Sequence, residues 1–135
     1  MKRIENWPRK LSEILQEKAA ASFVWGENDC CLFVADCVKA ITGVDYADEW
    51  RGLYQDEAGA NTFVGFHGGL VGLLDYAIGK DCRVMPNCAS RGDVVIAGGA
   101  AGVVDDTGRR VALYVDGRGL ARSPISSVTH AWRIG

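Results

Sequence analysis

A cysteine at the first turn of a helix is the arrangement that makes a thiol reactive, and Asp29-Cys30 offers one. Gly26, Asn28 and Asp29 are loop and cap residues, and Cys31-Leu-Phe-Val-Ala-Asp-Cys-Val-Lys-Ala-Ile-Thr-Gly43 reads as a helix ended by glycine. Unpaired amides and the positive end of the helix dipole favour the thiolate, the nucleophilic form. Asp29 opposes this by charge while capping the helix. The plainer reading of Cys30 is a small buried residue at a helix start.

Four more cysteines, Cys31, Cys37, Cys82 and Cys88, make the count odd, and no C-x-x-C pair occurs among them. Without an export signal the chain is expected to stay reduced, which argues against a disulfide framework. Cys37 faces inward on its helix and reads as a packed thiol. A metal or iron–sulfur site built from Cys82, Cys88 and one helix cysteine is the remaining alternative; otherwise no metal or cofactor is expected. The glycine pairs at 68–69 and 98–99 lack the spacing of a nucleotide-binding loop.

A cysteine nucleophile needs a base, and there are two histidines. His67 lies in a glycine-rich middle segment, ahead of the strands. His130 follows the cysteine but falls in the last strand. Each reads first as a surface or hydrogen-bonded histidine.

Stepping outward, a first helix is predicted from Trp7-Pro8 to about Ala20, with Leu11, Ile14 and Leu15 on one face. Phe33, Val34, Cys37, Val38 and Ile41 give the second helix a wide apolar stripe. Asp56 to His67 and Gly69 to Ile78 each suit a short helix, and Asp81 to Arg91 reads as loop. The period then becomes alternating, with strands expected over 93–97, 110–115, 120–123 and 130–134. Helices first and strands after predict one α+β domain over residues 1–135, with a small antiparallel sheet.

With 135 residues, 48% apolar and 24% charged, the chain can build a core. A net charge of −2 and a pI near 5.6 give no footprint for nucleic acid. No apolar run reaches the roughly 18–20 residues of a membrane span, and the start of the chain does not read as a signal peptide. Seven of the ten arginines lie from Arg83 onward, which suits either a solvated face or contact with an acidic partner subunit.

Phe23-x-Trp-Gly-x-x-Asp-Cys30-x-x-Phe33, followed by Arg91-Gly-Asp-Val-Val-Ile96, resembles the NlpC-type cell-wall peptidases. Their papain-like fold opens a buried helix with D-C-S-G-F, continues with a G-D-hydrophobic strand, and then has a strand reading H-V-G-I-Y. Asp29, Cys30 and Phe33 match the first motif, with Cys31 and Leu32 replacing serine and glycine; Gly92 and Asp93 match the second. Arg110-Val-Ala-Leu-Tyr114 matches the third in shape, which sets Arg110 at the histidine position. Guanidinium accepts no proton at biological pH, so the resemblance implies a degenerate scaffold.

The similarity is greater to a phage and prophage branch catalogued as a domain of unknown function. Its pattern is matched by Trp25-Gly26, Asp29-Cys30, Asp48-Glu49-Trp50-Arg51-Gly52-x-Tyr54, Gly92-Asp93-Val94-Val95 and Ala131-Trp132-Arg133. The resemblance implies a tail-tip or baseplate component of the virion, assembled in the host cytoplasm. Its partners would be tail-hub proteins and peptidoglycan, contacted through exposed residues such as Phe63 and Phe66. The alternative it carries is an active peptidase or amidase with Cys30 as nucleophile and His130 as base. Trp25, Trp50 and Trp132 are expected in a core, interface or groove, Arg51 paired with Asp48 or another carboxylate, and Asp93 accepting loop amides.

Overall fold

The computed structural model describes residues 1–135. Helix α1, Trp7–Ala20, carries Pro8 in its first turn, where a missing N–H costs nothing, and buries Leu11 and Leu15. Helix α2, Cys30–Thr42, starts on the Asp29 cap and stops at Gly43, whose φ of 80° suits glycine alone. Helices α3, Glu57–Phe66, and α4, Gly69–Ile78, follow, the first capped by Asp56. All four lie where hydrophobic spacing predicts them.

Six strands come next: β1 Arg83–Val84, β2 Val94–Ala97, β3 Ala100–Val104, β4 Arg110–Val115, β5 Gly119–Pro124 and β6 Val128–Trp132. They form one sheet in the order β1-β6-β2-β3-β4-β5, every pairing antiparallel. The chain is therefore α+β. No helix is long and apolar enough to cross a membrane.

The sequence reading needs three corrections. It passed over β3, because Ala-Ala-Gly-Val-Val shows no alternation when both faces are covered. The last strand ends at Trp132 and begins two residues earlier than expected. The segment expected as loop contains β1 and two short helical turns, Lys80–Cys82 and Pro86–Cys88.

Two cores sandwich the sheet. On one face Val94, Ile96, Ala101, Val103, Ala112, Tyr114 and Trp132 pack against Phe33, Val34, Cys37 and Val38 of α2 and Leu11 and Leu15 of α1. On the other, Val95, Ala97, Val104, Val111, Leu113, Val128 and Ala131 form a smaller cluster. Gly102 is glycine because a Cβ there would lie 2.5 Å from Leu113 Cδ2 and 2.7 Å from the Ala112 carbonyl oxygen. A third cluster joins Cys31, Leu32 and Ala35 of α2 to Ala47, Trp50 and Leu73, with Cys30 and Phe63 packed against it.

Candidate functional site

Cys30 is the first residue of α2 and half-buried; Cys31 beside it is buried. The turn ahead of them is held by one carboxylate. Asp29 accepts from the Leu32 amide at 3.0 Å and the Gly26 amide at 2.9 Å, and is almost wholly buried. Asn28 completes the loop, donating to the Ser22 carbonyl at 2.8 Å and to the Tyr114 hydroxyl at 3.1 Å. That hydroxyl also lies 2.9 Å from the Ala21 carbonyl oxygen and 3.0 Å from that of Lys18. Tyr114 stacks on Phe33 at 5.3 Å, so β4 fixes both the loop and the first turns of α2.

The neighbouring Cys31 side chain is the first influence that pulls the Cys30 thiol below its ordinary value. Burial and the Asp29 charge push the other way, and the amides of Cys31 and Cys30 help lower it. Cys31 is driven well up, first by the Cys30 side chain and then by burial. The pair thus has one thiol poised to ionise and one that keeps its proton. Cys37 is fully buried, and burial pushes its thiol far up.

Neither histidine hydrogen-bonds the Cys30 sulfur. His130 is exposed on β6, with Nδ1 2.9 Å from Thr129 Oγ1 and its ring stacked 6.4 Å from Trp132. It pairs with Ile96 across β6 and β2, placing it on the sheet face that α2 covers. His67 ends α3 inside an aromatic cluster, its ring centroid 4.9 Å from Tyr76, 5.0 Å from Phe63 and 5.5 Å from Phe66. Arg110 is exposed at the start of β4, and β3 separates that strand from β2.

The other motif residues hold the scaffold. Arg51 pairs with Asp45, through Nε and Nη2 each at 3.0 Å, and with Asp36 of α2 at 2.7 Å; its partner is not Asp48. Asp48 is exposed and makes no ion pair with Arg51. Trp50 is buried 5.2 Å from Phe63, centroid to centroid. Trp25 is half-buried and meets Phe23 edge-on at 4.7 Å. Trp132 is fully buried and donates from Nε1 to Asp75 at 3.0 Å. Gly92, at φ 89°, passes close to Arg3 and Ile41.

Asp93 does more than accept loop amides. Fully buried, it takes the Ser90 amide at 3.0 Å, the Ile134 amide at 3.1 Å, Arg3 at 3.0 Å and Arg133 at 3.0 Å. The G-D strand, the terminal Trp-Arg and the chain start meet on one carboxylate.

Sequence reasoning placed Cys31 and Tyr54 in motifs but gave neither a role at the site. The signal for Cys31 was its place next to Cys30 at a helix start. Tyr54 faces Asp29, and burial followed by that carboxylate keeps its phenol protonated. No three His, Cys, Asp or Glu side chains are grouped to hold a metal ion; Cys82 and Cys88 hydrogen-bond to Ile78 and Asn87 respectively.

A family model described as Domain of unknown function (DUF6950) matches residues 2–134. No curated protein and no solved structure matches the chain.

Proposed function

The chain belongs to the DUF6950 family, and we propose that this member is a tail-tip or baseplate component of a bacteriophage. It would use an NlpC-type, papain-like scaffold for assembly and wall penetration rather than for peptide cleavage. The observation that carries this reading is where the two histidines sit. His130 lies exposed on β6 against Thr129 Oγ1, and His67 lies among the rings of α3 and α4. Neither hydrogen-bonds the Cys30 sulfur as a general base would.

The strand order adds support. In the resembled family H-V-G-I-Y follows the G-D strand, and the strand following Gly92-Asp93 is β3, Ala100-Ala-Gly-Val-Val104. Gly102 then answers to the motif's glycine and Ala100, not Arg110, to its histidine. An alanine offers no lone pair to a thiol. An assembly role also accounts for large apolar side chains left in water: Phe66 is 87% exposed and Tyr76 71%.

Size-exclusion chromatography of the protein mixed with tail-hub proteins of its phage tests the reading. Co-elution is expected, and separate elution at micromolar concentration overturns it. The second reading is an active cysteine peptidase on peptidoglycan, with Cys30 and His130. The lowered Cys30 thiol favours it. Peptidoglycan clearing that both Cys30→Ala and His130→Ala abolish would put it in place of the first.

A further inference from the structure

The two ends of the sheet carry opposite surfaces. Asp75 of α4 ties that helix to Trp132 of β6 and Arg83 of β1, so the α3–α4 hairpin sits at the β1 end of the sheet. There Trp50, Phe63, His67 and Tyr76 form a continuous run of rings, with centroids 4.9 to 6.2 Å apart. Phe66 and Tyr76 project into water from it, and Leu53, in the loop Trp50 anchors, is 62% exposed. The same loop carries Asp48, Glu49 and Asp56 and leads into Glu57, the first residue of α3; all four are exposed and none is within ion-pair distance of a cation.

The opposite edge of the sheet is basic. Strand β5 pairs only with β4 and leaves its outer backbone groups unpaired by any strand. Arg109 and Arg110 stand at one end of this strand pair and Arg118 at the other. All three are exposed without an ion-pair partner; Asp106 and Asp116 lie beside them and Arg122 pairs with Asp105, so the edge sets four arginines against three aspartates. Exposed aromatic faces and carboxylates on one end of a molecule suit guanidinium groups, which take both cation–π and bidentate contacts.

We propose that copies of this chain associate head to tail, the basic β4–β5 edge of one copy docking on the acidic, aromatic α3–α4 hairpin of the next. The contact is heterologous, because the two surfaces differ and lie at opposite ends of the sheet. It therefore builds a ring or a short stack rather than a two-fold dimer. The proposal goes beyond the tail-tip reading and does not depend on it.

Sedimentation velocity of the full chain at low and high salt tests the contact. Concentration-dependent association at low salt is expected, weakened by salt because the steering is electrostatic. Arg109→Glu with Arg110→Glu, and separately Phe66→Ser with Tyr76→Ser, should each weaken association at least about tenfold. All four side chains are exposed, and circular dichroism confirms that each variant is folded. Mixing the two double variants is the decisive arm. Each retains one intact surface, so a heterologous contact gives a one-to-one complex and nothing larger.

A protein monomeric throughout the concentration range at low salt overturns the proposal. So does association that the arginine variant leaves intact, since that would be a two-fold contact through the hairpins. Hub binding is scored separately: loss of self-association with hub binding retained leaves the tail-tip reading standing alone.

Discussion

Gly26 lies so close to Tyr54 that a Cβ on the glycine would sit 1.9 Å from the Tyr54 carbonyl oxygen. The Gly26 carbonyl in turn accepts the Gly52 amide at 2.8 Å. The loop that presents Cys30 and the loop that carries Trp50 and Arg51 are thus one packed unit. Asp29 locks it, since the amide it accepts from Gly26 sets the entry of α2. The sequence motif ahead of the cysteine is a backbone-contact motif.

Gly26→Ala should therefore destabilise the fold sharply. The residue sits at φ 81°, and the obstacle is backbone oxygen rather than a side chain that could swing away. Strain and overpacking together predict a loss of about 2–4 kcal/mol. Urea denaturation checks it; a loss under about 1 kcal/mol would mean the two loops separate easily.

Asp93→Ala should cost about 2–4 kcal/mol. Removing one partner of a buried ion pair costs about 3–5 kcal/mol, and the figure is discounted here because the Arg133 side chain is 44% exposed and can turn to water. Arg133→Ala, by contrast, should cost about 1 kcal/mol. Similar losses for the two variants would show that Asp93 is not the centre of the junction.

Much of this was legible in the sequence. Helical spacing located α1 to α4, and an aspartate before a cysteine located the cap. β3 was hidden because its residues are small and apolar on both faces, and periodicity carries no signal without alternation. That Arg51 pairs with a carboxylate was legible, but which one was not: contact with Asp45 and Asp36 rather than Asp48 depends on how the post-α2 loop folds back, which spacing does not encode. Cys31 was read as a substituted serine, and its influence on the Cys30 thiol emerged only from the arrangement of the helix start.

Stability should fall on acidification through Asp45. Hydrogen bonds from Arg51, with help from the Ala47 amide, hold this carboxyl below its ordinary value. A carboxyl lowered by folding stabilises the native state above its unfolded pKa, and the contribution disappears as pH falls through the folded one. The melting temperature should thus decline below about pH 4. Asp45→Asn should flatten that decline at a cost of about 1 kcal/mol or less at neutral pH. The remaining slope includes Asp75, lowered likewise by Arg83. A slope unchanged in Asp45→Asn would remove Asp45 as a contributor.

Cys30 should react as a thiol tuned by its neighbour. Its alkylation by iodoacetamide, followed by peptide mass spectrometry, should reach half-maximal rate below the ordinary thiol value of about 8.5. Cys37, sealed in the core, should stay unmodified in the native protein. Cys31→Ala removes the neighbouring thiol that favours the thiolate, so the midpoint should move up and the rate at neutral pH fall about threefold or more. Cys31→Ser keeps a donor and should restore most of the rate. If Cys31→Ala left the profile unchanged, the helix amides alone would be tuning Cys30. Full tuning without turnover would separate the two roles of such a site, because a thiolate favoured by a neighbouring thiol still lacks a group to protonate a leaving amine.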